Sequence, residues 1–149
     1  MRKFQYFELD EFIKSETAKK RGIDNTPTFE IVDHLSELVR EILEPLRAAY
    51  GQPIRISSGY RCPKLNATPE IQGAATSIHM TGYAADLQVS GSFAKFHDFV
   101  RAWLKETGKK YDQLIVERNS KSGAQWIHIG LYNNYGQQRC QDLTMEVGK

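Results

Sequence analysis

The sequence predicts an α+β fold in which a small antiparallel sheet is flanked by helices. Three observations carry the prediction. Two stretches repeat apolar residues at three- and four-residue steps, as amphipathic helices do. Several short stretches alternate apolar and polar residues, as half-buried strands do. The two kinds do not alternate regularly along the chain, which argues against a doubly wound parallel sheet. With 149 residues, the chain suits a single domain spanning residues 1–149.

The elements follow in order. Residues 9–20, LDEFIKSETAKK, suit short helical turns, and Gly22 with the polar IDNTP after it breaks them. Thr26 before Pro27 is the expected start of a long helix, because proline at the first helical position loses no hydrogen bond. Val32, Leu35, Leu38, Val39, Ile42, Leu43 and Leu46 then form one apolar face. Pro45 should kink that helix or end its regular part, and Gly51 should close it. PIRIS (53–57) reads as a short strand, and residues 58–82, rich in Gly, Ser, Pro, Asn and Thr, read as a long loop of the kind that carries function.

AADLQV (84–89) alternates again, with Ala85, Leu87 and Val89 on one face and Asp86 and Gln88 on the other. Ser92 caps a second helix that turns Phe93, Phe96, Val100, Trp103 and Leu104 inward and ends at Gly108. YDQLIVE (111–117) and QWIHIGLY (125–132) read as two strands of a hairpin with RNSKSGA as its loop. The last seventeen or so residues carry no legible motif. There is no internal repeat, linker or low-complexity tract.

Composition narrows the function classes. A 40% hydrophobic and 11% aromatic content supplies a core, and 26% charged residues is ordinary for a water-soluble protein. A net charge of +2 is too small to point to nucleic acid or an anionic membrane as partner. No apolar run has signal-peptide or membrane-span length. The expectation is therefore cytoplasmic synthesis, a monomer, and release by another protein if the site of action lies outside. Cys62 and Cys140 are far apart and form no CxxC, so a zinc site built on them is not expected, and a cytoplasmic chain argues for two free thiols rather than a disulfide.

The four histidines are not equivalent. His34 and His97 flank the apolar stripes of the two helices and read as boundary residues. His79 lies in SIHMTGYAAD (77–86), and His128 in QWIHIGLY, where it shares a face with Trp126 and Gly130. Ile127, Ile129 and Leu131 need the core, so His128 points away from it, as Asp86 does on its own strand. Adjacent strands would bring His79, Asp86 and His128 together. Two imidazoles and a carboxylate with an open fourth position make a catalytic zinc site. The spacing equally allows a hydrogen-bonded His–Asp pair beside an unrelated strand histidine.

The stretch Ser77–Asp86 fits the signature SxHxxGxAxD and resembles that of the zinc D-Ala-D-Ala carboxypeptidases, a family grouped with the lysostaphin-type and hedgehog-type metallopeptidases. SSGYR (57–61), LN (65–66), DQLIVE (112–117) and WIH (126–128) are similar to the same family, so the resemblance runs from about Phe4 to Tyr132. It implies the same fold of helices around a small sheet. It implies one zinc ion held by His79, Asp86 and His128. The activity it implies is hydrolysis of peptide bonds in peptidoglycan stem peptides.

One position departs from the pattern. Several members of the group carry an acid three residues before the last histidine ligand, whereas this chain has Gln125, which cannot take a proton. Glu117, at the end of DQLIVE, is the candidate general base: in a hairpin it falls at the level of Gln125 and Trp126. Arg61 is the candidate anchor for a substrate carboxylate, through its guanidinium fork. On the same substrate side, Ser77 holds the loop or a ligand, and Trp126 either walls the pocket or packs. Two function classes follow. One is a zinc peptidase, removing a terminal D-Ala or cutting within the stem as phage lysins do. The other is a non-catalytic zinc module that binds cell wall or protein.

Overall fold

The computed structural model describes residues 3–148. The chain opens with two short helices, α1 (Leu9–Ile13) and α2 (Glu16–Arg21), the second ended by Gly22 at φ +64°. The long helix starts two residues later than the sequence suggests. Asp24 Oδ1 accepts both the N–H and the hydroxyl of Thr26, closing a turn. Thr28 then supplies the cap of α3 (Phe29–Leu38), its hydroxyl accepting the Ile31 N–H at 3.3 Å. Pro45 does not end the helical run, but the regular α-helix stops short of it, as the sequence suggests. A single wide π-helical turn, Val39–Leu43, precedes α4 (Glu44–Tyr50), with the Glu44 N–H bonded to the Val39 carbonyl. The wider turn relieves the clash a proline ring makes with the carbonyl four residues earlier.

The expected apolar face is buried. Leu35, Leu38, Val39, Ile42, Leu43 and Leu46 pack with Phe7 and Phe12, with Phe96, Val100 and Leu104 of α6 (Phe93–Thr107), and with Leu87, Leu114, Ile127 and Ile129 of the sheet. Val32, counted with that face, is only partly buried. The loop 58–82 is not irregular throughout: it contains the short helix α5 (Pro63–Asn66) and a 3₁₀ turn, Ile78–Thr81.

The strands are β1 (Arg55–Ser58), β2 (Ala84–Gln88), β3 (Gln113–Asn119), β4 (Gln125–Gly130) and β5 (Gln141–Val147). Among the described residues they form a five-stranded sheet in the order β1-β2-β4-β3-β5. The β3–β4 hairpin forms as expected, although β3 continues to Asn119 and shortens the loop. The first four strands pair antiparallel, but β5 lies parallel to β3, so the sheet is mixed and extends into the segment without a legible motif. The direction is forced by where β4 ends. Gly130 lies opposite Gln113 at the beginning of β3. Residues 131–140 cross from there to the other side of β3 while still at its beginning, so the chain can only run on in the direction of β3. The crossover is pinned by Asp112, only 1% exposed, whose carboxylate accepts from Arg139 Nε at 2.7 Å and Nη2 at 2.9 Å.

Candidate metal centre

Sheet register places the first two site residues. Asp86 on β2 lies directly opposite His128 on β4, and both turn to the face away from the helices. The 3₁₀ turn supplies the third. Ser77 caps it, its Oγ accepting the His79 N–H at 3.2 Å, and Gly82 closes it at φ +86°. Gly82 is required twice over, because a Cβ there would also lie 2.9 Å from the Ile31 carbonyl oxygen of α3.

His79 Nε2, Asp86 Oδ1 and His128 Nδ1 form a triangle with all three sides 3.2 Å. A tetrahedral zinc site with bonds of about 2.0 Å holds neighbouring ligand atoms about 3.3 Å apart, so the triangle fits that geometry. The donor chemistry fits as well. His79 Nδ1 lies 2.7 Å from the Gly59 carbonyl oxygen. A carbonyl can only accept, so Nδ1 carries the hydrogen and Nε2 offers its lone pair to the centre of the triangle. Burial pulls the His79 imidazolium below its ordinary value and so favours the neutral ring. Burial would push the Asp86 carboxyl up, but His79 and His128 outweigh it and hold the group well below the usual carboxylate range. Neutral imidazole and ionised carboxylate are the forms a metal ion needs. Among the described residues, this is the cluster of His, Cys, Asp and Glu that could hold a metal ion.

The second layer comes from SSGYR. Gly59 sits where β1 passes the end of α1: a Cβ there would lie 2.4 Å from the Phe12 carbonyl oxygen. The close approach brings the Gly59 carbonyl onto His79. Arg61 comes two residues later, its N–H bonded to the His79 carbonyl at 3.1 Å and its Nη2 donating to Ser77 Oγ at 3.3 Å. Its Nε is buried and has no hydrogen-bond partner among the described residues. Burial draws the guanidinium below its ordinary value, with Asp86 and Glu117 pulling the other way.

Glu117 on β3 pairs with Trp126 on β4, and its carboxylate accepts a hydrogen bond from the Trp126 indole N–H. Burial pushes the Glu117 carboxyl up, and the charge of Asp86 adds to it, against His128, Trp126 and Arg61. Gln125 is exposed at the start of β4, and by alternation it shares the face of Ile127, not that of His128. All seven residues named from the sequence, Arg61, Ser77, His79, Asp86, Glu117, Trp126 and His128, line one cleft of about 960 Å³.

Sequence reasoning missed Asn25, a buried residue in what reads as a plain loop. Its Nδ2 donates to the Ile13 carbonyl at 2.9 Å and the Tyr60 carbonyl at 3.0 Å, and its Oδ1 accepts the Cys62 N–H at 2.8 Å. The amide thus grips the backbone on both sides of Arg61, and no local pattern signals it. Asn66 of the LN pair has a structural role that residue type alone does not reveal. Its Nδ2 donates to the Ala74 carbonyl at 2.9 Å and folds the cleft lip back on α5. The cysteines stand apart from the cluster as free thiols, Cys62 half-buried and Cys140 exposed. His34 and His97 are partly buried, and His34 stacks on Tyr83 with ring centroids 4.1 Å apart. No helix among the described residues is long and apolar enough to cross a membrane.

Residues 5–129 match the model of a protein family described as Peptidase M15. No curated protein matches the chain. The match spans most of the sequence, and the chain belongs to the peptidase M15 family, whose members are zinc-dependent metallopeptidases.

Proposed function

We propose that this M15 metallopeptidase hydrolyses peptidoglycan stem peptides, with His79, Asp86 and His128 holding zinc, Glu117 as general base and Arg61 as substrate anchor. The observation that carries the reading is the 3.2 Å triangle of two imidazole nitrogens and one carboxylate oxygen at the floor of a cleft that also holds Glu117 and Arg61. Zinc bound there would supply Lewis acidity and make water acidic near neutral pH.

The protein's own groups supply the rest. Glu117, its proton affinity raised by burial and by Asp86, takes a proton from the attacking water and returns one to the leaving amine. The Trp126 indole N–H fixes the carboxylate while it does so. Gly59 keeps His79 in the tautomer that leaves Nε2 free. Arg61 is held at its N–H by the His79 carbonyl and at its tip by Ser77, while Asn25 holds Tyr60 and Cys62 on either side. The guanidinium lines the cleft and, among the described residues, makes one hydrogen bond, to Ser77 Oγ, so its tip keeps donors for a carboxylate, the group that stem peptides present. Gln125 does not weaken this reading, because the acid it lacks is provided from the neighbouring strand by Glu117.

The test is a muropeptide ending in D-Ala-D-Ala, incubated with zinc-loaded protein and read by mass spectrometry. Loss of one D-Ala identifies a carboxypeptidase, and two stem fragments identify an endopeptidase. Glu117→Gln should keep zinc and fold while losing about a hundredfold or more in rate. No cleavage by the zinc-loaded wild type would instead support a zinc module that only binds. Undiminished cleavage by Glu117→Gln would remove Glu117 from the chemistry.

A further inference from the structure

Strand β5 is turned the unusual way round. In a sheet with one face on a core, apolar residues face the core and polar ones face water. On β5 the helix side carries Asp142, paired with Arg101 of α6 at 2.7 Å, and Glu146, paired with Arg118 at 3.1 Å. The cleft side carries Leu143, Met145 and Val147, and Met145 remains 46% exposed. The parallel register sets Met145 beside Glu117, which in turn lies beside Trp126. Trp126, Glu117 and Met145 therefore stand in one row across three strands, with neighbouring strands about 4.8 Å apart. Glu117 and Met145 line the same cleft. The matched family region ends at residue 129, so the metal triangle, Glu117 and Arg61 lie inside it and β5 lies outside.

We propose that β5 is a specificity wall, in which Met145 receives the aliphatic side chain of a peptide residue next to the bond that is cut. The proposal rests on the peptidase reading above and adds to it which part of the substrate is sensed, and by which residue. Among the described residues Leu143 and Met145 of this apolar strand face stay 36% and 46% exposed, one strand away from the candidate base, and covering apolar surface is favourable at about 25 cal/mol per Å². A methionine suits this role because its flexible thioether chain adapts to side chains of different shape. The occupant is the substrate and not another protein surface, because the apolar face is continuous with the cleft that holds the metal triangle.

The experiment uses a synthetic stem peptide and analogues in which each alanine is replaced by glycine, one at a time. Cleavage is followed as kcat/KM with zinc-loaded wild type, Met145→Thr and Met145→Leu. Binding of the same peptides is followed by calorimetry with zinc-loaded Glu117→Gln protein, with and without Met145→Thr. One alanine-to-glycine change should cost wild type about tenfold, the scale of a lost methyl in an apolar pocket. Met145→Thr should cut that preference to within about twofold without changing zinc content, and Met145→Leu should keep it. Cleavage with a preference that Met145→Thr leaves intact overturns the wall and leaves the peptidase standing. A preference seen only in binding, and lost in Met145→Thr, overturns the peptidase and with it the wall's place beside a cut bond, and leaves Met145 as a peptide-binding contact. Neither cleavage nor binding overturns both. A concentration-dependent dimer that Met145→Thr dissolves overturns the wall, because its occupant would then be a second copy.

Discussion

One wall of the cleft, made by the turn Ile78–Thr81, β2 and β4, keeps His79, Asp86 and His128 buried and fixes them from several sides: by strand register, by the Gly59 carbonyl and by the Ser77 cap. The opposite side, made by β5 and the crossover before it, leaves Met145 46% exposed and Tyr135 87% exposed, and is held by the parallel ladder to β3, the Asp112–Arg139 pair and surface ion pairs. The first wall has little freedom to change, because each ligand sits on a paired strand or a capped turn and the His79 ring is also oriented by the Gly59 carbonyl. The second can alter its side chains without moving a ligand. The contrast matches the two roles proposed above, chemistry for the first wall and choice of substrate for the second.

The comparison is broken most directly at the ligands. His79→Ala or His128→Ala should weaken zinc binding by more than about a hundredfold, beyond what loss of an outer-shell partner costs. A chelator competition read by metal analysis checks it, and unchanged zinc in both variants would place the metal elsewhere. Next comes the support behind them. Gly59→Ala puts a Cβ against the Phe12 carbonyl and should cost about 1–3 kcal/mol of stability. A thermal melt should fall by several degrees, and an unchanged melting temperature would mean that α1 yields freely.

Arg61→Lys keeps the charge but loses the fork, so KM on a stem peptide should rise about tenfold while zinc content stays constant. Unchanged kinetics would end its role as anchor. The smallest effect belongs to the second wall. Arg101→Ala removes an exposed ion pair and should change stability by less than about 1 kcal/mol, measured by urea unfolding. A larger loss would show β5 to be as firmly built as the ligand wall, and would erase the contrast.

Much of this molecule was legible because periodicity reports which side of an element meets the core. The apolar repeat from Leu35 to Leu46 and the alternation in AADLQV and QWIHIGLY fixed the helix faces, the hairpin, and the outward turn of Asp86 and His128. The helix start was misjudged because Asp24 and Thr28 compete with Thr26 for the same short-range hydrogen bonds, and a local pattern does not rank them. β5 is the strand that the sequence reading lacks: QDLTMEV does alternate, but with its apolar residues turned to the cleft and with nothing to mark a partner or a direction. Its parallel place beside β3 follows from the route of residues 131–140 and the Asp112–Arg139 lock.

By itself the sequence determined the α+β class and put forward His79, Asp86 and His128 as candidate metal ligands and Glu117 as candidate base, because these depend on residue type, on alternation within strands and on a short hairpin. Only the tertiary structure decided that three donor atoms from a turn and two strands meet at 3.2 Å, that Asn25 grips the chain around Arg61, and that β5 turns its apolar side to the cleft. Those facts depend on contacts between residues dozens of positions apart, which are set when the core closes and the strands find their register.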